Sequence, residues 1–354
     1  MSLAITAAAT PPLQGISLRR PLPGTLLVAA AFALLLLGAG LVVDDYWYNA
    51  ILIPFLIMSL AGLGLNLLTG YAGQASLGTG AFMAVGAYAT YNLLLRLPEL
   101  SLPASLLLGG IIAGATGVIF GLPSLRIRGF YLTASTLAAQ FLIPWIFNQY
   151  GWFSNNTTSG AISAPKLQFL GLDLSSPQGR YYLTVVTVLL LTAASWKLMK
   201  SQTGRNWMAI RDMETAAAVA GIPVAANKLW AFAISSFIIG ISGALWAFAY
   251  LGTVDSRSFD LDRSFTVLFI IIIGGMGSIG GAFIGSAFVI LFPILLSNIS
   301  GTFFAGLIDA GQLENIQKIL FGLLIVYFLI KEPRGLLALF TTFKNRLHSW
   351  PLKP

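Results

Sequence analysis

The sequence predicts an all-α polytopic membrane protein with about ten transmembrane helices, some of them broken at glycine-rich segments. Hydrophobic residues make up 57% of its 354 residues and charged residues only 9%, and the mean hydropathy is +0.84. Soluble domains carry about 25% charged residues, so this composition excludes soluble enzymes, disordered proteins and nucleic-acid binders. The apolar runs are continuous rather than alternating, which excludes a porin-type barrel.

The spans follow from apolar runs of about 20 residues, the length that crosses a bilayer. The run at 25–43 is interpreted as a span rather than a signal peptide, because Asp44-Asp45 follows it in place of a cleavage site. A transmembrane domain at 24–331 then lies between cytoplasmic tails at 1–23 and 332–354, with an outer loop at 150–180 and an inner loop at 200–227. The predicted spans are 25–43, 48–68, 70–95, 102–122, 129–149, 181–199, 228–252, 264–274 with its continuation, 281–298 and 315–331.

Loop charges orient this set of spans, because cytoplasmic loops are enriched in Lys and Arg. With both termini in the cytoplasm, only Asp212, Glu214 and Glu332 among the 12 acidic residues face inward. Most of the 20 basic residues face the same side: Arg19, Arg20, Arg126, Arg128, Lys197, Lys200, Arg205, Arg211, Lys228, Lys331, Arg334, Lys344, Arg346 and Lys353.

Several kinds of chemistry have no residues to support them. There is no Cys, and the single His, His348, lies in the predicted C-terminal tail. Away from span edges, no ionisable residue is placed in mid-span, which argues against a proton-driven carrier. The chain also lacks a Gly-x4-Gly-Lys-Ser/Thr phosphate loop, so it should not hydrolyse ATP by itself. We expect no catalytic or metal-binding residues and no cofactor in this chain.

Two glycine-rich segments, Gly62–Phe82 and Ile270–Gly285, interrupt or flank spans. Glycine allows close helix packing, but it also permits a broken helix whose freed backbone groups face a polar solute. For the second segment we favour packing or a tight inner turn. In the first we favour a broken helix lining a translocation path, because polar side chains are interleaved with the glycines: Asn66, Thr69, Gln74, Ser76 and Thr79.

The inner loop predicts a short helix from Met208 to Ala220, stopped by Gly221 and kept from resuming by Pro223. Such a helix either lies on the lipid surface or inserts into a groove of a partner protein. Alanines and a mixed-charge end favour the protein groove. The predicted anchors are Arg211, Asp212 and Glu214, with Ala216, Ala217 and Gly221 small for a close fit.

The loop resembles the cytoplasmic loop of permease subunits of bacterial ABC importers, in particular those of the branched-chain amino acid family. The segments Phe237–Ala247 and Phe269–Gly281, together with the first glycine-rich segment, resemble further motifs of that family in order and spacing over 50–330. The stretch Tyr250–Phe265 resembles the amino-acid branch, although urea and short-amide importers share this permease type. Asn206-Trp207 departs from the expected small aliphatic residues. The loop residues that carry the resemblance are Gly204-Arg205, Ala209-Ile210-Arg211-Asp212, Glu214, Ala216-Ala217 and Gly221-Ile222.

The resemblance implies one half of a heteromeric permease pair in the bacterial inner membrane. A second homologous permease would complete the pair, two cytoplasmic subunits would bind ATP, and a periplasmic binding protein would deliver the solute. A zwitterionic amino acid carries its own opposite charges, so hydroxyls, amides and helix ends suffice to line its path.

Two other classes remain to be weighed against this one. A sodium-coupled carrier has no reason to shape an inner loop as a docking helix. A non-transporting scaffold does not need polar residues within its glycine-rich breaks.

The absence of native Cys allows the predicted orientation to be tested directly. A single Cys replacing Asn156 should react with an impermeant thiol reagent added outside intact cells, because residues 150–180 are predicted to be extracytoplasmic. A Cys replacing Ser201 should react only after permeabilisation. The reverse labelling pattern would overturn the orientation.

Overall fold

The structure is a computed structural model that describes residues 36, 38, 44–125, 130–157, 162–164, 168–169, 172–303, 310–331 and 335–337. The chain divides into two compact units, Met1–Val42 and Val43–Pro354. In the first unit, Leu36 and Gly38 are helical. The rest of the predicted span at 25–43, the tail at 1–23 and most of the tail at 332–354 lie outside the described residues.

The described part of the second unit is built almost entirely of helices. Four two-residue strands accompany them: β1 (Ile162–Ser163), β2 (Gln168–Phe169), β3 (Leu172–Asp173) and β4 (Thr253–Val254). The helices are α1 (Asp45–Tyr71), α2 (Thr79–Arg96), α3 (Leu102–Leu125), α4 (Phe130–Gln149), α5 (Pro177–Lys200), α6 (Gln202–Asp212), α7 (Glu214–Val219), α8 (Val224–Leu251), α9 (Leu261–Gly274), α10 (Ile279–Phe303) and α11 (Ala310–Lys331).

Five of these helices, α1, α3, α5, α8 and α10, are long and apolar enough to cross a membrane. They support the predicted class, an all-α polytopic membrane protein. The other predicted spans after residue 43 also fall on helices, with two differences. The span expected at 70–95 begins only at Thr79, because 72–78 are not helical, and α9 has just 14 residues.

Helices α1 and α8 form the centre of the second unit. Nearly every residue of α1 between Ile53 and Asn66 is buried, and α8 packs against α1, α2 and α3. Small residues make this packing close: a Cβ atom added to Gly86 of α2 would collide with the carbonyl oxygen of Gly240 in α8. Close backbone approach of this kind is typical of helix contacts in membranes, where dispersion rather than water exclusion drives association.

The outer faces of α3, α4 and α5 are apolar and exposed. Ile111 and Ile119 of α3, Phe141 of α4 and Leu190 of α5 are each at least 56% exposed. Contiguous exposed apolar surface marks contact with a membrane or with a protein partner. Both are consistent with a membrane-spanning protein.

The inner loop contains two helices instead of the single helix predicted from Met208 to Ala220. Helix α6 ends at Asp212, Met213 is extended at φ −156° and ψ 96°, and α7 begins at Glu214. The predicted stop is confirmed. Gly221 adopts φ +82°, its N–H donates to the carbonyl of Ala218, and the N–H of Ile222 donates to the carbonyl of Ala217, both at 3.0 Å. This is the Schellman arrangement for which glycine is preferred.

Candidate functional site

The first glycine-rich segment is a break between two helices. Helix α1 ends in a wide π-helical turn, Leu67–Tyr71, and residues 72–78 run without helical structure to the start of α2. The first N–H groups of a helix have no partner within it. Here the amide of Gly80 donates to Ser264 Oγ at 2.7 Å, and that of Ala81 donates to Gln140 Oε1 at 2.8 Å. The start of α2 is therefore capped by side chains of α9 and α4.

Gln140 joins three elements at this break. Its Oε1 also accepts from Ser264 Oγ at 2.8 Å, and its Nε2 donates to the carbonyl of Phe259 at 2.8 Å. One turn earlier in α4, Thr136 Oγ1 accepts from the amide of Leu77 at 3.0 Å. The bonds of Gln140 and Ser264 are buried and that of Thr136 is partly buried, so together they help to hold the break in one conformation.

Arg263 lies beside this cluster, in the first turn of α9. Its guanidinium carbon is 4.2 Å from the centre of the Trp246 ring, and its Nε is buried without a partner among the described residues. The roles of Arg263, Ser264, Gln140 and Thr136 were not predicted from the sequence. The sequence does not indicate which group a single hydroxyl or amide in an apolar span will bond to. Burying such a group without a hydrogen-bond partner costs free energy, so the sequence predicts only that a partner exists.

The structure separates the five predicted path residues into two groups. Thr69 Oγ1 donates to the carbonyl of Gln74 at 3.1 Å, and Ser76 Oγ accepts from the amide of Gly78 at 3.3 Å. Asn66 likewise bonds through both its Nδ2 and its Oδ1. The side-chain amide of Gln74 and the hydroxyl of Thr79 are buried and have no partner among the described residues. These two side chains retain free hydrogen-bonding capacity within the break.

Asn66 connects the two glycine-rich segments. Its Nδ2 donates to the carbonyl of Ser278 at 2.6 Å, and its Oδ1 accepts from the amide of Gly277 at 2.8 Å. A Cβ atom at Gly70 would collide with both Asn66 Oδ1 and the amide of Gly277. The last turn of α1 and the turn between α9 and α10 therefore touch backbone to backbone.

The second glycine-rich segment forms a tight turn and a close helix contact, the two roles favoured for it. Gly275 and Gly277 adopt positive φ values of 117° and 75° in the turn. In α10, Gly281 and Gly285 face backbone atoms at the end of α9, with no space for a side chain.

Arg211 reaches from the inner loop to this junction. Its Nη1 donates to the carbonyl of Gly70 at 2.8 Å, while Nε and Nη2 bind Asp212 Oδ1 at 2.9 and 2.8 Å. Gly73 runs against the aliphatic part of the Arg211 side chain, where an added Cβ would lie 2.7 Å from Cγ. The carbonyls at the end of a helix lack intrahelical donors and carry partial negative charge. Arg211 therefore caps the end of α1 with a cation.

A second polar contact attaches the loop to α8. Lys228 Nζ lies 3.0 Å from Glu214 Oε1, and the Lys228 side chain is only 9% exposed. Sequence reasoning did not predict this pair. Arg211 and Glu214, predicted to anchor a partner, are thus both engaged within the chain.

The remaining predicted loop residues differ in exposure. Ala217 is buried, whereas Asp212, Ala216 and Gly221 are exposed. Val219 is 90% exposed, and a Cβ atom added to Gly221 would have no atom within 4 Å apart from its chain neighbours. Helix α7 and the turn that follows it therefore present a small, uncharged and exposed surface formed by Ala216, Val219 and Gly221.

The comparison with known protein families agrees with this arrangement. Residues 48–329 match the family described as branched-chain amino acid transport system, permease component. The chain belongs to this family. The match includes the break, the inner loop and both glycine-rich segments, so the geometry described above is that of a branched-chain amino acid transport permease component.

Two of the individual relatives described here carry the branched-chain amino acid description, and a third is a fructose permease. The high-affinity branched-chain amino acid transport system permease protein LivM of Salmonella typhimurium is 30% identical over 312 residues, covering 80% of this chain and 68% of the relative. The probable branched-chain amino acid transport permease LivM of Methanocaldococcus jannaschii is 24% identical, with 82% and 92% covered. The fructose import permease FrcC of Rhizobium meliloti is 29% identical, with 68% and 72% covered. No solved structure matches the chain significantly.

The double hydrogen bond of Asn66 predicts a structural rather than a solute-binding role. Asn66→Ala leaves the amide of Gly277 and the carbonyl of Ser278 without partners, so the free energy of unfolding should fall by about 2–4 kcal/mol. Thermal unfolding of the detergent-solubilised protein measures this. Asn49→Ala is the matched control, because Asn49 is exposed and bonds only to Asp45 in its own helix. Equal effects of the two substitutions would contradict the assignment.

Proposed function

We propose that this permease component carries branched-chain amino acids across the bacterial inner membrane, driven by ATP hydrolysis in separate subunits. The family match and the names of two relatives support this cargo. A fructose import permease is also among the relatives, so sequence similarity at this level extends to a permease with another cargo. Substrate class therefore rests on the LivM relatives rather than on the architecture.

The chemistry of the break suits a neutral zwitterion. Gln74 and Thr79 offer an amide and a hydroxyl that the described protein leaves unbonded. A broken helix whose polar groups face a cavity is a recurrent device for binding solutes within a membrane. We therefore place the translocation path along the break, with Gln74 and Thr79 as its solute-facing groups.

In the proposed topology, ten spans cross the inner membrane and both termini are cytoplasmic. The five apolar helices long enough to cross support the outline, and the enrichment of basic residues on one side supports the orientation. Helices α6 and α7 then lie at the cytoplasmic face. The end of α1 and the turn between α9 and α10 lie at the same face, because Arg211 contacts Gly70 directly.

The proposed partners are two ATP-binding subunits, a second homologous permease and a periplasmic binding protein. The surface formed by Ala216, Val219 and Gly221 is suited to a groove in an ATP-binding subunit, since these three residues are exposed and uncharged. Docking of a short helix into a groove uses such anchors at helical spacing. The larger apolar faces elsewhere are available to lipid and to the second permease.

The observation that carries the coupling proposal is the hydrogen bond from Arg211 to Gly70. It joins the cytoplasmic loop to the end of α1, and Asn66 joins that end to the turn between α9 and α10. Movement of α6 and α7 on closure of the ATP-binding subunits would therefore displace both helix ends together. The break at 72–78 follows this junction immediately in the chain.

Two substitutions separate docking from transmission in a complex reconstituted with its ATP-binding subunits and binding protein. Gly221→Leu should abolish co-purification of the ATP-binding subunits by adding bulk to the docking surface. Gly221→Ala, which incurs the same positive-φ strain without that bulk, should retain it. Arg211→Gln should retain the subunits but lower ATP-driven leucine uptake about tenfold or more. Arg205→Gln should retain the subunits and leave leucine uptake unchanged, because Arg205 bonds only within its own loop.

The same reconstitution tests the transport class. Leucine uptake in the wild-type complex should require ATP and be independent of a sodium gradient. Uptake driven by sodium without the ATP-binding subunits would contradict the proposal. Normal ATP-coupled uptake in Arg211→Gln would show that Arg211 does not transmit the movement. Preferential uptake of urea or fructose over leucine would show that the proposed substrate class is wrong.

The path assignment predicts a loss of turnover without a loss of folding. Gln74→Ala should lower the uptake rate several-fold at normal assembly, because it removes a buried amide that has no structural partner. Ser76→Ala should have a smaller effect, since Ser76 bonds only to the amide of Gly78. Uptake is normalised to the folded complex. Unchanged turnover together with a reduced yield of Gln74→Ala would make the cluster a packing feature.

A further inference from the structure

A cavity of about 490 Å³ lies between α2, α3 and α4, away from the break and the inner loop. It exists because α3 packs along α2 and α8, while α4 packs against α2 and makes little contact with α3. Its volume lies within the range of small-molecule binding sites, about 300–1,000 Å³. Ala89, Ile112, Phe120, Ile143 and Phe147 are among its lining residues.

The walls of this cavity are almost wholly apolar. The hydroxyl of Thr116, one of the few polar groups in the lining, is used within its own helix, where it donates to the carbonyl of Ile112 at 2.9 Å. An amino acid would bury its ammonium and carboxylate against such walls without partners, which is strongly unfavourable. The cavity therefore suits a hydrocarbon chain and does not suit the proposed cargo.

Arg96 provides a fixed cation at one end of the cavity. Its guanidinium carbon lies 3.6 Å from the centre of the Trp152 ring. Its Nη2 donates to the carbonyl of Trp152 at 2.8 Å, and its Nε donates to Asn92 Oδ1 at 3.2 Å. Asn92 is itself held by carbonyls of Tyr88 and Phe153.

Arg96 has no carboxylate partner within the described part of the chain. No carboxylate there lies within salt-bridge distance of its side chain, and the residue remains exposed. The two hydrogen bonds occupy Nε and Nη2, so Nη1 remains available for an anion. Arg binds phosphate through several N–H groups, and Trp is enriched at the interface between bilayer and water.

We propose that this cavity binds one acyl chain of an anionic phospholipid, whose phosphate contacts Arg96. The apolar cavity accommodates the chain, and the Arg96 guanidinium beside Trp152, which has no carboxylate partner among the described residues, selects a negatively charged headgroup. The same helices α3 and α4 also carry exposed apolar side chains suited to contact with lipid: Leu107, Ile111, Phe141 and Trp145.

The experiment uses the full-length chain exchanged into bilayer discs of phosphatidylglycerol and phosphatidylcholine, released into mild detergent and weighed by native mass spectrometry. The wild type should retain one phosphatidylglycerol in preference to phosphatidylcholine. Arg96→Gln should lower that preference about tenfold, as expected for one charge-assisted hydrogen bond. Arg180→Gln makes the same charge change at an arginine that bonds to the carbonyl of Ser175, and it should leave the preference unchanged.

A second pair of variants tests the cavity itself. Ala89→Trp fills it and should abolish phosphatidylglycerol retention, whereas Ala194→Trp, on the exposed face of α5, should not. Phosphatidylglycerol should raise the thermal unfolding temperature of the wild type and of Arg180→Gln but not of Arg96→Gln. This measurement tests the proposal even if the Ala89→Trp variant does not fold.

Three results would overturn the proposal. Equal retention of the two lipids by the wild type would remove the headgroup selectivity. Full competition by soluble glycerol phosphate would indicate a site for a free phosphate without an acyl chain. Efficient disulfide cross-linking of a Cys at Ile112 to the second permease would show that a protein covers the cavity.

Discussion

The N–H groups at the start of α2 have to be satisfied inside an apolar environment, and much of the described architecture depends on how that is done. In a continuous transmembrane helix every interior amide bonds within the helix. Here the chain leaves helical structure at 72–78 and resumes at Thr79, so amides lose their intrahelical partners. Ser264 and Gln140 replace those partners at Gly80 and Ala81. The break is possible because α4 and α9 are positioned around it.

This arrangement explains why the neighbouring helices are irregular. Helix α9 is short because its first turn lies at the level of the break, where Ser264 reaches Gly80. Helix α1 widens into a π-helical turn before it ends, and π turns are frequently found at functional sites. Close backbone contacts, such as Gly86 against Gly240, hold α2 in place although it is shorter than α3 and α8. The break is thus fixed from both sides while Gln74 and Thr79 keep unbonded polar atoms.

The inner loop is bonded to the membrane-spanning helices α1 and α8, although its polar sequence does not indicate these contacts. Arg211 caps α1, and Glu214 pairs with Lys228 of α8. The extended conformation of Met213 lets these two neighbouring contacts point to different helices. The loop consequently has an inward side that holds the spans and an outward side, on α7, that is free. A loop that transmits movement needs an outward side to bind a partner and an inward side attached to the spans. A loop that bound only the partner would move without displacing the spans.

The sequence by itself determined the membrane class, the positions of most helices after residue 43 and the end of α7. These follow from local properties: apolar run length, and the preference of Gly221 for a positive φ. It also indicated a break at Gly62–Phe82, because glycines and amides alternate there. Only the tertiary structure decided which polar residues bond to the protein and which remain free. Asn66 and Gln74 look equivalent in sequence, yet Asn66 meets Gly277 while Gln74 meets no partner among the described residues. The physical reason is that a hydrogen bond depends on the position of its partner, and the partners of Asn66 and Arg211 lie 211 and 141 residues away along the chain.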